Sequence, residues 1–183
     1  MISEADQKGN HKQYGNNFRT WENTSENLLI AANHLASFRN SVDIVNLKVG
    51  DPKPDGLKVL NSELLLKGSS LECLFKALYL KMGKGELVSE SGYVKIAGVS
   101  EHNLLDLADI FDLTFTIEER FVLNKLTLYT KMGRYPIPKN WYDNKIQNLP
   151  NGGKGSKLFW QYPSDDLIYE DIRQKIVFEL NDK

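Results

Sequence analysis

The sequence has a single cysteine, no apolar run long enough to cross a membrane and no excess of charge of either sign. Cys73 has no partner cysteine in the chain, which excludes an intramolecular disulfide and fits a reducing compartment. Lys and Arg number 23 against 24 Asp and Glu, so no overall charge favours nucleic acid or a membrane surface. The N-terminus lacks the apolar segment of a signal peptide, and we therefore expect a cytoplasmic protein.

Length and composition predict one helical domain behind a polar N-terminal segment. With 183 residues the chain can bury one sizeable core but is short for two. Residues 1–17 mix Gly, Asn, Gln and Lys without periodicity, which is the composition of a segment that need not be ordered. We expect residues 1–17 to be flexible and residues 18–183 to form a single domain.

The rest of the chain is arranged around residues 57–82. This stretch contains no proline, ends at Gly83 and carries apolar residues at helical spacing, so it predicts a central helix with one wide buried face. Lys67 projects from that face, and we expect it either to snorkel to solvent or to mark a local break at Gly68, with a desolvated catalytic lysine as the less favoured alternative. The predicted apolar face consists of Leu57, Leu60, Leu64, Leu71, Leu74, Phe75, Leu78 and Met82.

A long helix is predicted before the central one. Apolar residues recur at spacings of three and four from Leu28 to Val49, and Trp21 extends the pattern back by one heptad. The Gly- and Pro-rich turn at residues 50–56 then predicts that this helix packs back on the central helix as an antiparallel hairpin. The expected buried stripe is Leu28, Ala31, Leu35, Phe38, Val42, Val45 and Val49.

The remaining sequence predicts three shorter helices separated by irregular segments. Residues 84–99 predict a loop or a marginal hairpin, with strand confined to this segment, and Ser100 then caps a short helix. Thr116 and Glu119 match a capping box at the start of the next helix. Residues 133–163 contain four prolines and no clear period, which predicts a long irregular segment before the last helix. The expected buried residues are Leu104, Leu107, Ala108 and Phe111, then Phe121, Val122, Leu126, Tyr129 and Met132, and finally Ile168, Ile172, Ile176 and Leu180.

Two polar pairs at i, i+4 spacing are candidate functional residues, and each has a structural alternative. Glu72 and Lys76 could contact a ligand, but such a pair is also an ordinary ion pair of an exposed helix stripe, which we favour from the residues alone. His102 and Asp106 could form an oriented acid/base pair, because a carboxylate fixes the imidazole tautomer. The same histidine could equally cap or pack at the start of a helix.

Three further motifs are better explained by structure than by chemistry. Asp106, Asp109 and Asp112 recur at a spacing of three, which is typical of the solvated face of a short helix, so we expect no metal site. Residues 151–157 lack the Gly-Lys-Ser/Thr order and the preceding strand of a phosphate-binding loop, so we expect a flexible loop. A group of aromatic and basic residues could bind a single-stranded nucleic acid, but more simply closes the open end of a bundle. This group consists of Trp141, Tyr142, Phe159, Trp160 and Tyr162 with Lys139, Lys145, Lys154 and Lys157.

Three segments, in this order, resemble the HEPN (higher eukaryotes and prokaryotes nucleotide-binding) domains. They are LECLFKALYLKMG at residues 71–83, EHNLLDLADIF at residues 101–111 and GRYPIP at residues 133–138. The long helix at residues 20–49 occupies the place of the family's first helix. The resemblance implies an all-α, HEPN-like bundle of four to five helices, with the long irregular segment before the C-terminal helix. Carried over residue by residue, it implies a ligand-binding site made of Glu72, Lys76, His102, Asp106, Arg134 and Tyr135.

The chain departs from the family's ribonucleases, which carry an arginine followed by four to six residues and then a histidine. The histidines here are at positions 11, 34 and 102, and none lies at that distance after an arginine. We therefore expect a member without the nuclease site, leaning against an enzyme. It would bind a nucleotide, an RNA or a partner protein without a cofactor or metal.

The resemblance also implies a setting and partners. The setting is prokaryotic defence or a toxin–antitoxin pair, the partner an antitoxin or a nucleotidyltransferase, and the oligomer a homodimer. Two alternatives remain open. One is a purely structural helical dimerisation module, and the other is a divergent ribonuclease that uses His102 as a base.

Overall fold

Helices dominate the fold, and the predicted all-α class is confirmed. The computed structural model describes residues 3–41, 59–89, 91–100, 102–132, 145–150, 152–156 and 158–182. Within those ranges the chain forms six helices and one two-stranded antiparallel sheet. The elements are α1 (Glu4–Gly15), α2 (Phe18–Asn40), α3 (Leu60–Lys81), α4 (Leu104–Ile110), α5 (Ile117–Met132), β1 (Ile146–Asn148), β2 (Lys154–Ser156) and α6 (Ser164–Asp182). None of the described helices is long and apolar enough to cross a membrane.

The central helix α3 is the most enclosed element, as its apolar period predicts. It packs against α2, α4, α5 and α6, so it is covered from several directions. Cys73 is also buried there, and burial raises the pKa of its thiol to about 11, which makes it an unreactive core residue. Leu57 lies outside the described residues. The fully buried apolar side chains of α3 are Leu64, Leu71, Leu74, Phe75, Ala77 and Leu78.

The predicted antiparallel hairpin of α2 and α3 is confirmed by two contacts at opposite ends. The hydroxyl groups of Ser25 and Ser70 lie 2.8 Å apart, and Arg39 Nε donates to Glu63 Oε2 over 2.7 Å. Residue numbers therefore rise along α2 while they fall along the facing part of α3. The connecting turn at residues 50–56 lies outside the described residues.

The buried face of α2 differs from the predicted stripe. Its buried residues are Ser25, Leu29, Ala32 and Arg39, which lie about one residue, or roughly 100°, around the helix from the expected set. Leu28 and Leu35 are half-buried, whereas Ala31 and Phe38 are exposed. Small side chains at Ser25 and Ala32 allow α2 to approach α3 closely, a preference that a count of large apolar residues does not detect. Val42, Val45 and Val49 lie outside the described residues.

Lys67 is buried in an ionic cluster, and the two predictions favoured for it are wrong. Its side chain is only 5% exposed, and Nζ lies 2.9 Å from Glu63 Oε1 and 2.6 Å from Asp166 Oδ1. Arg39 bonds to the same two carboxylates, so two cations and two anions from three helices neutralise one another. The helix continues through Gly68, where an added Cβ would come within 2.6 Å of Thr130 Cγ2 of α5. Gly68 therefore marks a close helix contact.

The N-terminal segment contains a helix, although its composition predicted no regular structure. The side chains of Ser3 and Asp6 form a capping box at the start of α1, and no residue of α1 is buried. Apolar periodicity predicts a helix that packs one face against a core, and α1 buries no such face. The sequence signal that could have predicted this helix was the capping pair of Ser3 and Asp6. The expected flexibility of residues 1–17 stays a prediction.

The helices after residue 100 follow the predicted pattern with one change at a cap. Asn103 caps α4, because its side chain accepts from the Leu105 amide, whereas Ser100 bonds to Asp106. The predicted capping box of α5 is confirmed, with Thr116 N 2.8 Å from Glu119 Oε2. The side chain of Met132 is outside the described set. Of the predicted core residues, Phe121 and Ile168 are half-buried, and those that are buried are Leu104, Leu107, Ala108, Phe111, Val122, Leu126, Tyr129, Ile172, Ile176 and Leu180.

Strand occurs where none was expected. β1 pairs with β2 inside the segment predicted to be irregular, so the predicted flexible loop at residues 151–157 contains the whole of strand β2. Among the described residues of 84–99 there is one isolated bridge, between Val88 and Val94. Trp160 is buried and its indole N–H donates to Asp166 Oδ1 over 3.0 Å, which fits closure of the bundle. Phe159 and Tyr162 are exposed, and Lys139, Trp141, Tyr142 and Lys157 lie outside the described residues.

Candidate functional site

A groove of about 1110 Å³ lies between α3 and the segment at residues 86–100. Glu72, Lys76 and Tyr79 line it from α3, and His102 and Leu107 complete the lining beyond residue 100. The opposite wall carries hydroxyl groups from Ser89, Ser91, Tyr93 and Ser100, and the charged side chains of Glu86 and Lys95. The groove therefore has room for a ligand of nucleotide size, and it combines these polar groups with apolar side chains such as Leu87, Ile96 and Val99.

Glu72 is the buried centre of the polar cluster in this groove. Its Oε1 lies 2.7 Å from Lys76 Nζ, and its Oε2 lies 2.8 Å from His102 Nδ1. Burial alone would raise the pKa of Glu72, but the Lys76 ammonium and the bond from His102 more than offset this and leave the pKa below its ordinary value. The interpretation of Glu72 and Lys76 as a pair on an exposed stripe is therefore wrong.

His102 makes this contact from an unusual backbone conformation. Its φ is +57°, in the left-handed region that costs a side chain with a Cβ about 1–2 kcal/mol. Because a carboxylate can only accept, the bond to Glu72 places a proton on Nδ1. Its imidazole is 49% exposed and lines the groove, so Nε2 is the ring atom left to meet a ligand.

Lys76 is fixed from two sides. Its Nζ bonds to Glu72 and lies 4.6 Å from the centroid of the Trp21 ring on α2. The Trp21 indole N–H in turn donates to the Gly15 carbonyl over 2.8 Å. A cation paired with a carboxylate and covered by a ring has little charge left for a ligand, so Lys76 mainly positions Glu72.

Asp106 does not pair with His102, which corrects the predicted acid/base pair. Asp106 Oδ2 accepts from the Ser100 hydroxyl over 2.8 Å and from the Ser100 amide over 3.2 Å. The Ser100 hydroxyl bond is the main reason that the pKa of Asp106 is below its ordinary value. An i, i+4 contact needs both residues in one helix, and His102 lies outside α4, which starts after the Asn103 cap.

Three of the six predicted site residues converge: Glu72, Lys76 and His102. Arg134 and Tyr135 lie outside the described residues, so their place in the site stays a prediction. Sequence reasoning missed Tyr93, which is 76% exposed, and Lys95, both on the groove wall. The only sequence signal for this wall was its series of glycines, of which Gly92 and Gly98 have positive φ.

The aspartates of α4 show no convergent arrangement. Asp109 bonds to Arg120 over 2.9 Å, while Asp106 bonds to Ser100. Within the described ranges no three His, Cys, Asp or Glu side chains are grouped so that they could hold a metal ion.

The chain matches no protein-family model, and it has no significant match among curated proteins or solved structures. The resemblance to HEPN domains therefore stays a prediction that depends on the three segments quoted above.

The paired state of Glu72 predicts a measurable pH dependence of stability. Its folded pKa lies below the ordinary 4.5, so its contribution is present above about pH 4.5 and is lost as the pH falls through the folded pKa. Glu72→Gln should lower the free energy of unfolding by about 1–3 kcal/mol at pH 7, since it weakens two charge-assisted bonds. Urea unfolding at several pH values measures this, and the difference from the native chain should shrink below pH 4.5.

The matched control is Asp171→Asn on the exposed face of α6. Its stability curve should run parallel to that of the native chain. A Glu72→Gln curve that is also parallel to the native one would show that Glu72 is not held as described.

Proposed function

We propose that this chain is a non-catalytic, HEPN-like domain that binds a nucleotide or an RNA end in the groove beside His102. The observation that carries the proposal is the bond between Glu72 and His102. A buried carboxylate holds a strained, half-exposed imidazole at the wall of a large groove, and backbone strain is retained mainly at functional sites. The prokaryotic defence or toxin–antitoxin setting is part of the same proposal and depends on the resemblance alone.

The charges of the groove favour a ligand with few phosphates. Lys76 is neutralised by Glu72, and Glu86 pairs with Lys12 over 3.2 Å. Lys95 remains to meet an anion, because it forms no ion pair with a described residue. His102 is bonded to Glu72 through Nδ1, so its unprotonated Nε2 can accept a hydrogen bond from a sugar hydroxyl or a base amine of the ligand. Tyr93 offers an exposed ring on which a base can stack, and the serine hydroxyls can bond to a sugar. A nucleoside monophosphate such as AMP is therefore a better probe than a polyphosphate.

Binding of AMP tests the proposal through the imidazole. His102→Asn keeps a side chain that tolerates the left-handed backbone, but it removes the ring nitrogen that faces the ligand. We expect the dissociation constant of AMP to rise about tenfold, which corresponds to the loss of one hydrogen bond. Isothermal titration calorimetry measures it, and short single-stranded RNA is titrated in parallel.

His34→Asn is the matched control, because His34 is exposed on α2 and does not line the groove. It should bind AMP as the native chain does. Equal affinities for all three chains would contradict the proposal. RNA cleavage by the native chain that is lost in His102→Asn would favour the divergent ribonuclease instead.

A second proposal concerns association, since the α2 surface carries apolar side chains that the core does not use. Leu28, Ala31, Leu35 and Phe38 keep heptad spacing along one side of α2, and Phe38 is 49% exposed. A stripe of this kind suits a two-fold contact with a second copy of the chain. The homodimer is compatible with the groove, and it is also what the purely structural alternative requires.

Light scattering at micromolar concentration tests the homodimer. The native chain should have the mass of two chains, and Phe38→Asp should have the mass of one, because it places a charge in an apolar contact. Ile30→Asp is the control, since Ile30 is also exposed on α2 but lies outside the stripe. A native chain with the mass of one copy would contradict the proposal.

A further inference from the structure

The C-terminal end of helix α1 is hydrogen-bonded to the outer wall of the groove, in a set of contacts that we call the clasp. Asn16, which follows α1, accepts with its Oδ1 from the amides of Leu87 and Val88 over 2.7 and 2.8 Å. Its Nδ2 donates to the Val88 carbonyl over 3.0 Å. One side-chain amide therefore satisfies three backbone groups of the wall, as the edge of a neighbouring strand would.

Other contacts extend the clasp along the same segment. His11 Nε2 donates to the Gly92 carbonyl over 3.0 Å, and Lys12 pairs with Glu86. Gly15 packs so closely on Val88 that an added Cβ would overlap Val88 Cγ2. Val88 is fully buried and cannot move aside freely, so this contact requires glycine.

The end of α1 also reaches the polar cluster from the opposite side. The Gly15 carbonyl accepts from the indole N–H of Trp21, and the ring of Trp21 covers Lys76. Lys76 bonds to Glu72, which holds His102. The junction of α1 and α2 thus contacts both walls of the groove, one through Asn16 and the other through Trp21.

We propose that α1 is a strap that holds the 86–94 wall in its binding shape, so that release of α1 weakens binding in the groove. Because α1 buries no residue, a few polar contacts and one glycine contact hold it, and such an element can detach without unfolding the core. The effect on affinity rests on the proposed nucleotide binding. The hold on the wall does not, and it can be measured without a ligand.

Amide hydrogen exchange at Leu87 and Val88 tests the hold directly. Asn16→Ala removes the acceptor of both amides, and Gly15→Ala forces α1 away from Val88 by a separate route. We expect both variants to exchange at these two amides at least about tenfold faster than the native chain. Far-UV circular dichroism checks that the helical core is retained.

Gly9→Ala is the matched control in the same helix, since an added Cβ at Gly9 meets nothing within 4 Å. It should leave the exchange of Leu87 and Val88 unchanged or slower, because alanine favours the helix. Unchanged exchange in both Asn16→Ala and Gly15→Ala would overturn the strap.

Titration of AMP into the same three variants tests the effect on the groove. The dissociation constant should rise in Asn16→Ala and Gly15→Ala and stay at the native value in Gly9→Ala. Faster exchange with native affinity would overturn the link between strap and groove. If the native chain does not bind AMP, the proposed function fails, while the exchange rates still decide whether α1 holds the wall.

Discussion

The structure depends on pairing the charges of a helix that is covered on several sides. Besides its apolar residues, α3 buries Glu63, Lys67, Ser70 and Glu72. A buried charge without a partner costs several kcal/mol, so each of these groups must find a partner on another element or on α3 itself. Ser70 meets Ser25 of α2, Glu63 and Lys67 meet Arg39 and Asp166, and Glu72 meets Lys76 and His102. These contacts fix where α2, α6 and the residues before α4 lie around α3.

The need to pair buried charges also explains why the contact between Glu72 and His102 is both a structural bond and part of the candidate binding site. Glu72 needs a donor because it is buried, and His102 supplies one at the cost of a left-handed backbone. The imidazole is thereby held with a defined tautomer at the wall of the groove. A role in folding and a role in ligand binding are therefore not alternatives for this pair. By contrast, the cluster around Lys67 lies under Trp160 and Tyr169 and is largely closed to solvent, which suits a purely structural role.

Features set by neighbouring residues could be predicted from the sequence, and features set by distant ones could not. The Thr116–Glu119 capping box and the apolar period of α3 are local, and both are confirmed. The predicted buried face of α2 was wrong because the small side chains of Ser25 and Ala32 allow close approach to α3 and contribute little apolar area. One of the two interpretations of His102 paired it with Asp106, four residues away, but its partner is Glu72, which is 30 residues away. No local pattern predicts such a pair, since only the packing of α3 brings the two side chains together.

The tautomer of His102 tests the account most directly. Nitrogen-15 chemical shifts of the imidazole, measured at a pH where the ring is neutral and assigned with His11→Asn and His34→Asn variants, distinguish a protonated Nδ1 from a protonated Nε2. The contact with Glu72 predicts the proton on Nδ1, with Nε2 unprotonated, and a mixed state of the ring when Glu72 is replaced by glutamine. A neutral His102 in the native chain with its proton on Nε2 would contradict the account.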